Sequence, residues 1–360
     1  MSVSKRSFQL VAWSSLAIFL FASIACNNNG GSGGSGSVSL QGAGATFPNP
    51  LYQKWVSEYG KVHPNVRMDY QSIGSGGGIK QLKEQTVDFG ASDAPMTDED
   101  LKSAPGEILH IPTVLGAVVV TYNLDGLKQP LRFSPDVIAD IFLGKIKKWN
   151  DAKIMADNPG VTLPSNDITV VHRSDSSGTS AVFTDYLSKV SAEWKEKVGA
   201  GIAPSWPTGI GGKGNEGVTG QVKNTPNTIG YVELAYALKN NLPVAHVKNA
   251  SGNFVEPSID SVTAAASGSA ASMPEDLRVS ITNAAGPQAY PISSYTYILV
   301  YKNQKDATKG KTLVEFLWWG IHDGENFAKE LQYAPLPADI VKKAETKINS
   351  VTANGATLRS

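Results

Sequence analysis

His172-Arg173-Ser174-Asp175-Ser176-Ser177-Gly178-Thr179-Ser180 follows the apolar, β-branched run Ile168-Thr169-Val170-Val171, which reads as a buried strand. It precedes Ala181 to Leu187, where Val182, Phe183, Tyr186 and Leu187 recur at helical spacing. Strand, polar turn and helix in that order make one unit of an α/β fold. The turn puts hydroxyls and free backbone N–H groups at a helix start, where unpaired donors and the positive dipole end favour an anion. Arg173 adds a planar fork of donors matched to an oxyanion. The competing reading is an ordinary cap, because Ser, Asp and Thr commonly precede helices.

Two more turns share the design. Gln41-Gly42-Ala43-Gly44-Ala45-Thr46-Phe47-Pro48 leads into a helix over Pro50–Tyr59, with Leu51, Trp55 and Tyr59 four apart. Ile73-Gly74-Ser75-Gly76-Gly77-Gly78 separates the alternating strand Val66–Gln71 from a helix over Ile79–Glu84. Later segments repeat the alternation: a helix around Val137–Phe142, a long one from Ala181 to about Lys197, a strand over Thr228–Val232 and a helix over Glu233–Lys239. A long helix over Lys311–Tyr333 and a polar one over Asp339–Ile348 close the chain. Strands alternating with helices predict an α/β fold with mainly parallel pairing. Two long apolar runs, Ile111–Tyr122 and Pro291–Tyr301, bracket the middle section. They predict two domains joined by two extended crossovers, with residues 116–290 inserted into a discontinuous domain of 38–115 plus 291–360. Three donor-rich turns could converge on one small oxyanion in a cleft between them.

The chain has 360 residues, 41% hydrophobic and 18% charged, which suits a large core and excludes disorder of the bulk. Its formal net charge is zero, which argues against a broad polyanion-binding surface such as a nucleic-acid interface, so any anion site must be local. Residues 1–25 read as a secretory leader: Lys5 and Arg6, then a mostly apolar run from Phe8 to Ala22, short for a membrane span. Ser23-Ile24-Ala25-Cys26 resembles a bacterial lipobox, with Ser23 where leucine is preferred; Cys26 would be diacylated and anchor the exported chain. Cys26 is the sole cysteine, so no internal disulfide is expected. Residues 27–37 contain only Asn, Gly and Ser and read as a flexible tether. Within it Gly30-Gly31-Ser32-Gly33-Gly34 matches the hydrolase elbow literally, but without a strand before or a helix after.

Asp93 ends the short run Phe89-Gly90-Ala91-Ser92-Asp93 at the same strand end as the turns. An ionised carboxylate only accepts hydrogen bonds. It would repel an anion that carries no proton and accept one that has a proton to give. Phosphate keeps a proton at neutral pH and sulfate does not, so an Asp in a donor-lined site would select phosphate. The alternative is that Asp93 caps a helix beginning near Pro95. Asp175 is expected to pair with Arg173 and fix its fork. The five histidines form no short metal motif, no base stands near Ser177, and Gly209-Ile210-Gly211-Gly212-Lys213-Gly214 lacks the βαβ setting of a dinucleotide site. Neither cofactor nor metal is expected. A secreted phosphomonoesterase and a receptor for another oxyanion are the competing functional classes.

Taken together, Gly42 to Pro48, Ile73 to Gly77, Val87-Asp88-Phe89-Gly90-Ala91-Ser92-Asp93-Ala94-Pro95, Leu143-Gly144-Lys145-Ile146-Lys147-Lys148-Trp149 and Arg173 to Ser180 resemble the phosphate-binding proteins of Pst-type ABC phosphate importers. Gly211-Gly212-Lys213-Gly214-Asn215 and Ile229-Gly230-Tyr231-Val232-Glu233 fit as well, and the resemblance covers nearly all of the chain after the tether. It implies a two-domain, type II periplasmic binding fold that closes on one phosphate and feeds a membrane permease with its ATPase, as a monomeric receptor. It also implies donation to phosphate by Thr46 and Phe47, with the Ala45 turn, and by Ser75. Arg173, Ser177, Gly178 and Thr179 would donate from the other domain, and Asp93 would accept the phosphate proton. His172, where relatives often carry a second Arg, and Ser176, in place of a common Gly, depart from the pattern; a left-handed backbone at Ser176 would be mildly strained.

Overall fold

The computed structural model describes residues 37–359 except Lys128. The leader, Cys26 and nearly all of the tether lie outside the described residues. The chain runs β1 (Val38–Gly44), α1 (Asn49–Val62), β2 (Val66–Ser72), α2 (Ser75–Lys83), β3 (Phe89–Ser92), α3 (Asp98–Lys102) and β4 (Ile108–Asn123). Next come β5 (Arg132–Phe133), α4 (Pro135–Phe142), α5 (Ala152–Asp157), β6 (Thr169–Arg173), α6 (Gly178–Val190), α7 (Ala192–Lys197), β7 (Ile210–Gly212), α8 (Gly214–Asn224), β8 (Thr228–Glu233) and α9 (Leu234–Lys239). After β9 (His246–Lys248), β10 (Phe254–Val255), α10 (Ile259–Ala266) and α11 (Ser269–Ser272) come β11 (Ser293–Tyr301), β12 (Asn303–Gln304) and α12 (Ala307–Gly320). Helix α13 (Ala338–Asn349) and the short strands β13 (Thr352–Ala353) and β14 (Ala356–Thr357) end it.

One eight-stranded sheet carries the architecture, in the order β2-β1-β3-β11-β4-β8-β6-β7. Pairing is parallel on both flanks, as the strand–helix alternation predicts: β2 with β1, β1 with β3, β8 with β6, β6 with β7. The centre departs from that expectation. The two long strands run antiparallel to each other and to their outer neighbours β3 and β8. Their length lets one strand serve both flanks: Ile108 to Ala117 of β4 pair with β11, and Val118 to Asn123 pair with β8. Every residue of β4 from Ile108 to Tyr122 is buried, which explains a continuous apolar run without alternation.

Two helices are shorter than the periodicity suggests. The stretch from Ala181 to Lys197 breaks at Ser191, whose backbone is extended and whose hydroxyl accepts from Trp194 N–H to start α7. The expected helix over Lys311–Tyr333 stops at Gly320, and 3-10 turns follow at Asp323–Phe327 and Lys329–Leu331. Trp55 forces this. Its ring would lie 2.9 Å from a Cβ at Gly320, and its indole N–H donates to Gly324 O at 2.8 Å, so the chain wraps round the indole.

Candidate functional site

Four strand-to-helix turns, β1/α1, β2/α2, β6/α6 and β7/α8, meet beside the end of β3. Each follows the carboxyl end of a parallel strand, where open α/β sheets present loops to ligands. At β2/α2 the backbone turns through Gly74 with φ +87°, a conformation that any side chain would strain. Ser75 then starts the helix, and its hydroxyl accepts from Asp93 N–H at 3.3 Å and from Gly178 N–H at 3.1 Å. The Gly178 contact joins the two flanks directly. Only glycine fits there: a Cβ would stand 2.3 Å from Ser75 Oγ and 2.6 Å from Asp93 Oδ2.

The β1/α1 turn presents its amides by having its carbonyls held. Tyr70 donates to Ala45 O (2.7 Å), Tyr236 to Thr46 O (2.6 Å) and Tyr333 to Phe47 O (2.7 Å). In a trans peptide the carbonyl and the next N–H point in opposite directions. Tyr70 and Tyr236 therefore aim the Thr46 and Phe47 N–H groups, neither of which donates to another described residue. Ala45 N–H is bound to Ala91 O at 2.9 Å, so Ala45 shapes the turn and gives no donor. Pro48 supplies none either.

Asp93 is 2% exposed and caps no helix; Thr97 caps α3 instead. Its Oδ1 accepts from Thr296 Oγ1 at 2.8 Å, and its Oδ2 has no hydrogen-bonding partner among the described residues. Burial pushes the carboxyl up to about 7, against opposing pulls from Thr296, Arg173 and Ser75. Arg173, 3% exposed, grips Asp175 twice, Nε to Oδ1 at 2.8 Å and Nη2 to Oδ2 at 2.7 Å. Its Nη1 is buried and has no partner among the described residues. Desolvation raises the Asp175 carboxyl, but Arg173 and the Gly214 N–H outweigh it and hold the group below its usual range. Ser177 accepts from Ser180 N–H at 3.1 Å as the cap of α6, which leaves its O–H to donate. Ser176 is not among the residues with positive φ, so the anticipated strain is absent; its carbonyl accepts from Gly76 N–H at 3.1 Å across the cleft. His172 stacks on Trp206 at 5.0 Å, outside the site.

The structure thus gathers Thr46, Phe47, Ser75, Asp93, Arg173, Ser177, Gly178 and Thr179 around one buried locus. It adds residues the sequence did not single out: Thr296, Asn215, and the tyrosines that hold the β1/α1 turn. A cleft of about 230 Å³ reaches Asp93, between Pro95, Val182, Asp185 and Ser294. A larger one of about 500 Å³, around Gln85 and Lys309, shares no residue with the site. Among the described residues no cluster of His, Cys, Asp and Glu is placed to hold a metal, and no helix is long and apolar enough to cross a membrane. The donors suit a small tetrahedral oxyanion, and the free Asp93 oxygen suits one that carries a hydrogen.

Comparison with known proteins agrees. A family model described as the PBP superfamily domain matches residues 30–318. The phosphate-binding protein PstS of Xylella fastidiosa strain 9a5c is 48% identical over 310 residues, 86% of this chain and 84% of that protein. The chain belongs to the PstS phosphate-binding protein family. A PstS of Methanocaldococcus jannaschii is 42% identical, covering 88% of this chain and 87% of its own. Among solved structures, the phosphate-binding protein of Stenotrophomonas maltophilia superposes with a TM-score of 0.65 at 21% identity, over 86% of this chain and 93% of that one. That likeness establishes the two-domain periplasmic-binding fold.

Proposed function

We propose that this PstS-family chain captures inorganic phosphate and delivers it to the permease of an ABC importer, without catalysis. Two lobes, 38–115 plus 291–360 and 116–290, move about the crossovers β4 and β11. Phosphate enters the open cleft, and closure completes its shell of donors. Thr46, Phe47 and Ser75 donate from one lobe and Arg173, Ser177 and Thr179 from the other; Gly178, expected as a donor too, instead commits its N–H to Ser75 Oγ and so leaves that hydroxyl's hydrogen for the ligand. Arg173 Nη1 points its remaining hydrogens at the ligand, and Asp93 Oδ2 accepts the P–OH. The observation that carries this reading is Asp93 itself: a buried carboxyl oxygen with no described partner, in a site whose other unpartnered side-chain atom is the donor Arg173 Nη1. Names of the relatives point the same way. Cys26 carries the lipid that keeps the exported chain near its membrane partners, the permease subunits and their ATPase.

Titration calorimetry with phosphate and sulfate side by side tests the proposal. Phosphate should bind tightly with one site per chain, and sulfate far more weakly at pH 8. Equal affinity for the two, or turnover of a chromogenic phosphate ester, would overturn it.

A further inference from the structure

Asn215 stands in the first turn of α8 and is fully buried. Its side-chain amide has an unambiguous orientation. Glu233 N–H can only donate, and it meets Asn215 Oδ1 at 3.0 Å. The NH2 group must then face the other way, where its two hydrogens reach Thr46 Oγ1 at 2.8 Å and Thr179 Oγ1 at 3.0 Å. The backbone N–H of Asn215 reaches Thr46 Oγ1 as well, at 3.2 Å.

A hydroxyl has two lone pairs and one hydrogen. Asn215 fills both lone pairs of Thr46 and one of Thr179. Neither threonine donates to any described residue. Each is left with an O–H whose hydrogen points away from Asn215.

We propose that Asn215 is a positioning residue for anion capture: it occupies both acceptor sites of Thr46 and one of Thr179, and so turns the hydrogen of each hydroxyl away from itself and toward the ligand. The inference rests on the phosphate reading and extends it to a residue that does not touch the ligand. It also explains how two hydroxyls, intrinsically free to rotate, become fixed donors without any positive charge. Thr46 and Thr179 come from opposite flanks of the sheet, so one amide sets both only when the flanks are together.

Asn215→Asp is the discriminating variant. It keeps an acceptor for Glu233 N–H and nearly the same volume, but replaces the NH2 donor pair with an acceptor. Both threonine hydroxyls would then turn to the new carboxylate and be lost to phosphate. By calorimetry the variant should bind phosphate about 100-fold more weakly than the unmodified protein. Charge repulsion alone would also weaken binding, so the same substitution is made in a Thr46→Val, Thr179→Val background. With no hydroxyls to redirect, its effect there should shrink to about tenfold or less. An equal loss in both backgrounds, or no loss in either, overturns the inference. Asn215→Ser removes the amide without adding charge and serves if the first variant fails to fold, as judged by thermal unfolding without phosphate. It should lose about tenfold in the normal background and nothing in the valine background. If the unmodified protein itself fails to bind phosphate, the functional reading fails instead, and the two failures are distinct.

Discussion

Replacing Asp93 by Asn probes how the site tells phosphate from sulfate. Burial lifts the Asp93 carboxyl from its ordinary 3.8 to about 7. Sulfate brings no proton, and two routes into the site remain open to it. Lying against the ionised carboxylate would cost about 4 kcal/mol per unit of ligand charge, at roughly 4 Å and an effective dielectric of about 20. Protonating the carboxyl first costs about 1.4 kcal/mol for each pH unit above its pKa, or about 2 kcal/mol at pH 8.5. The second route is cheaper, so it sets the penalty. Sulfate affinity of the unmodified protein should therefore rise about tenfold per unit as pH falls from 9 toward 7. Below about 7 the carboxyl is already neutral and the curve should flatten. Asp93→Asn is neutral at every pH and can turn an N–H toward the ligand. Its sulfate affinity should be flat with pH and exceed that of the unmodified protein by about 30-fold at pH 8.5. Calorimetry with both anions at pH 6, 7, 8 and 9 measures all of this. A flat sulfate profile for the unmodified protein, or an unchanged sulfate-to-phosphate ratio in the variant, would refute the reasoning.

Gly178→Ala should weaken phosphate binding about 10- to 100-fold, because its methyl would press on Ser75 Oγ and Asp93 Oδ2; calorimetry at wild-type affinity would remove that contact from the account. Arg173→Ala should cost ~1.5–3 kcal/mol of phosphate binding, the loss of a charge-assisted bond to a buried anion, and unaltered affinity would exclude Arg173 as a ligand. Thr296→Val removes the donor that holds the Asp93 carboxyl down, so the break in the sulfate profile should move above about 7; a break that stays or moves lower contradicts the assigned bond. Cys26→Ser should shift the protein from membrane to soluble fractions on immunoblots, and persistence in the membrane would sink the lipid anchor.

Local pattern carried much of this architecture. The two long β-branched runs announced the long central strands β4 and β11, because strands buried on both faces need no polar alternation. Three turns rich in Gly, Ser and Thr were legible as strand-to-helix turns because their chemistry is contained within a few residues. What stayed hidden depends on contacts far apart in the chain. Asn215 and Thr46 are 169 residues apart, Thr296 and Asp93 are 203 apart, and Tyr333 and Phe47 are 286 apart. No window of sequence contains such a pair. Asn215 does end a legible motif, Gly211-Gly212-Lys213-Gly214-Asn215, a Gly-rich turn opening a helix, but nothing in that motif shows which side chains its amide meets. The end of α12 was hidden for a similar reason, since Trp55 lies on α1 at the other end of the chain.

This site holds no excess of positive charge: Arg173 is clamped by Asp175, and Asp93 adds a second carboxyl. Attraction of unlike charges therefore does little to hold a dianion here. Aligned dipoles must do it, and their alignment has to be fixed before the ligand arrives if reorganisation is not to consume the gain. Thr46 shows how the fold achieves this. Tyr70, on the neighbouring strand β2, aims its N–H within one flank of the sheet. Asn215 sets its hydroxyl and Tyr236 holds its carbonyl from the opposite flank. The Thr46 N–H is thus held from within its own flank, whereas the Thr46 hydroxyl and the Phe47 N–H behind the Thr46 carbonyl are held by residues of the opposite flank. On the proposed reading, affinity would follow from the number of donors aligned on closure. Selectivity would follow from the single oxygen of Asp93 that cannot donate while it is ionised. The two properties reside in different atoms, so each can be altered without removing the other.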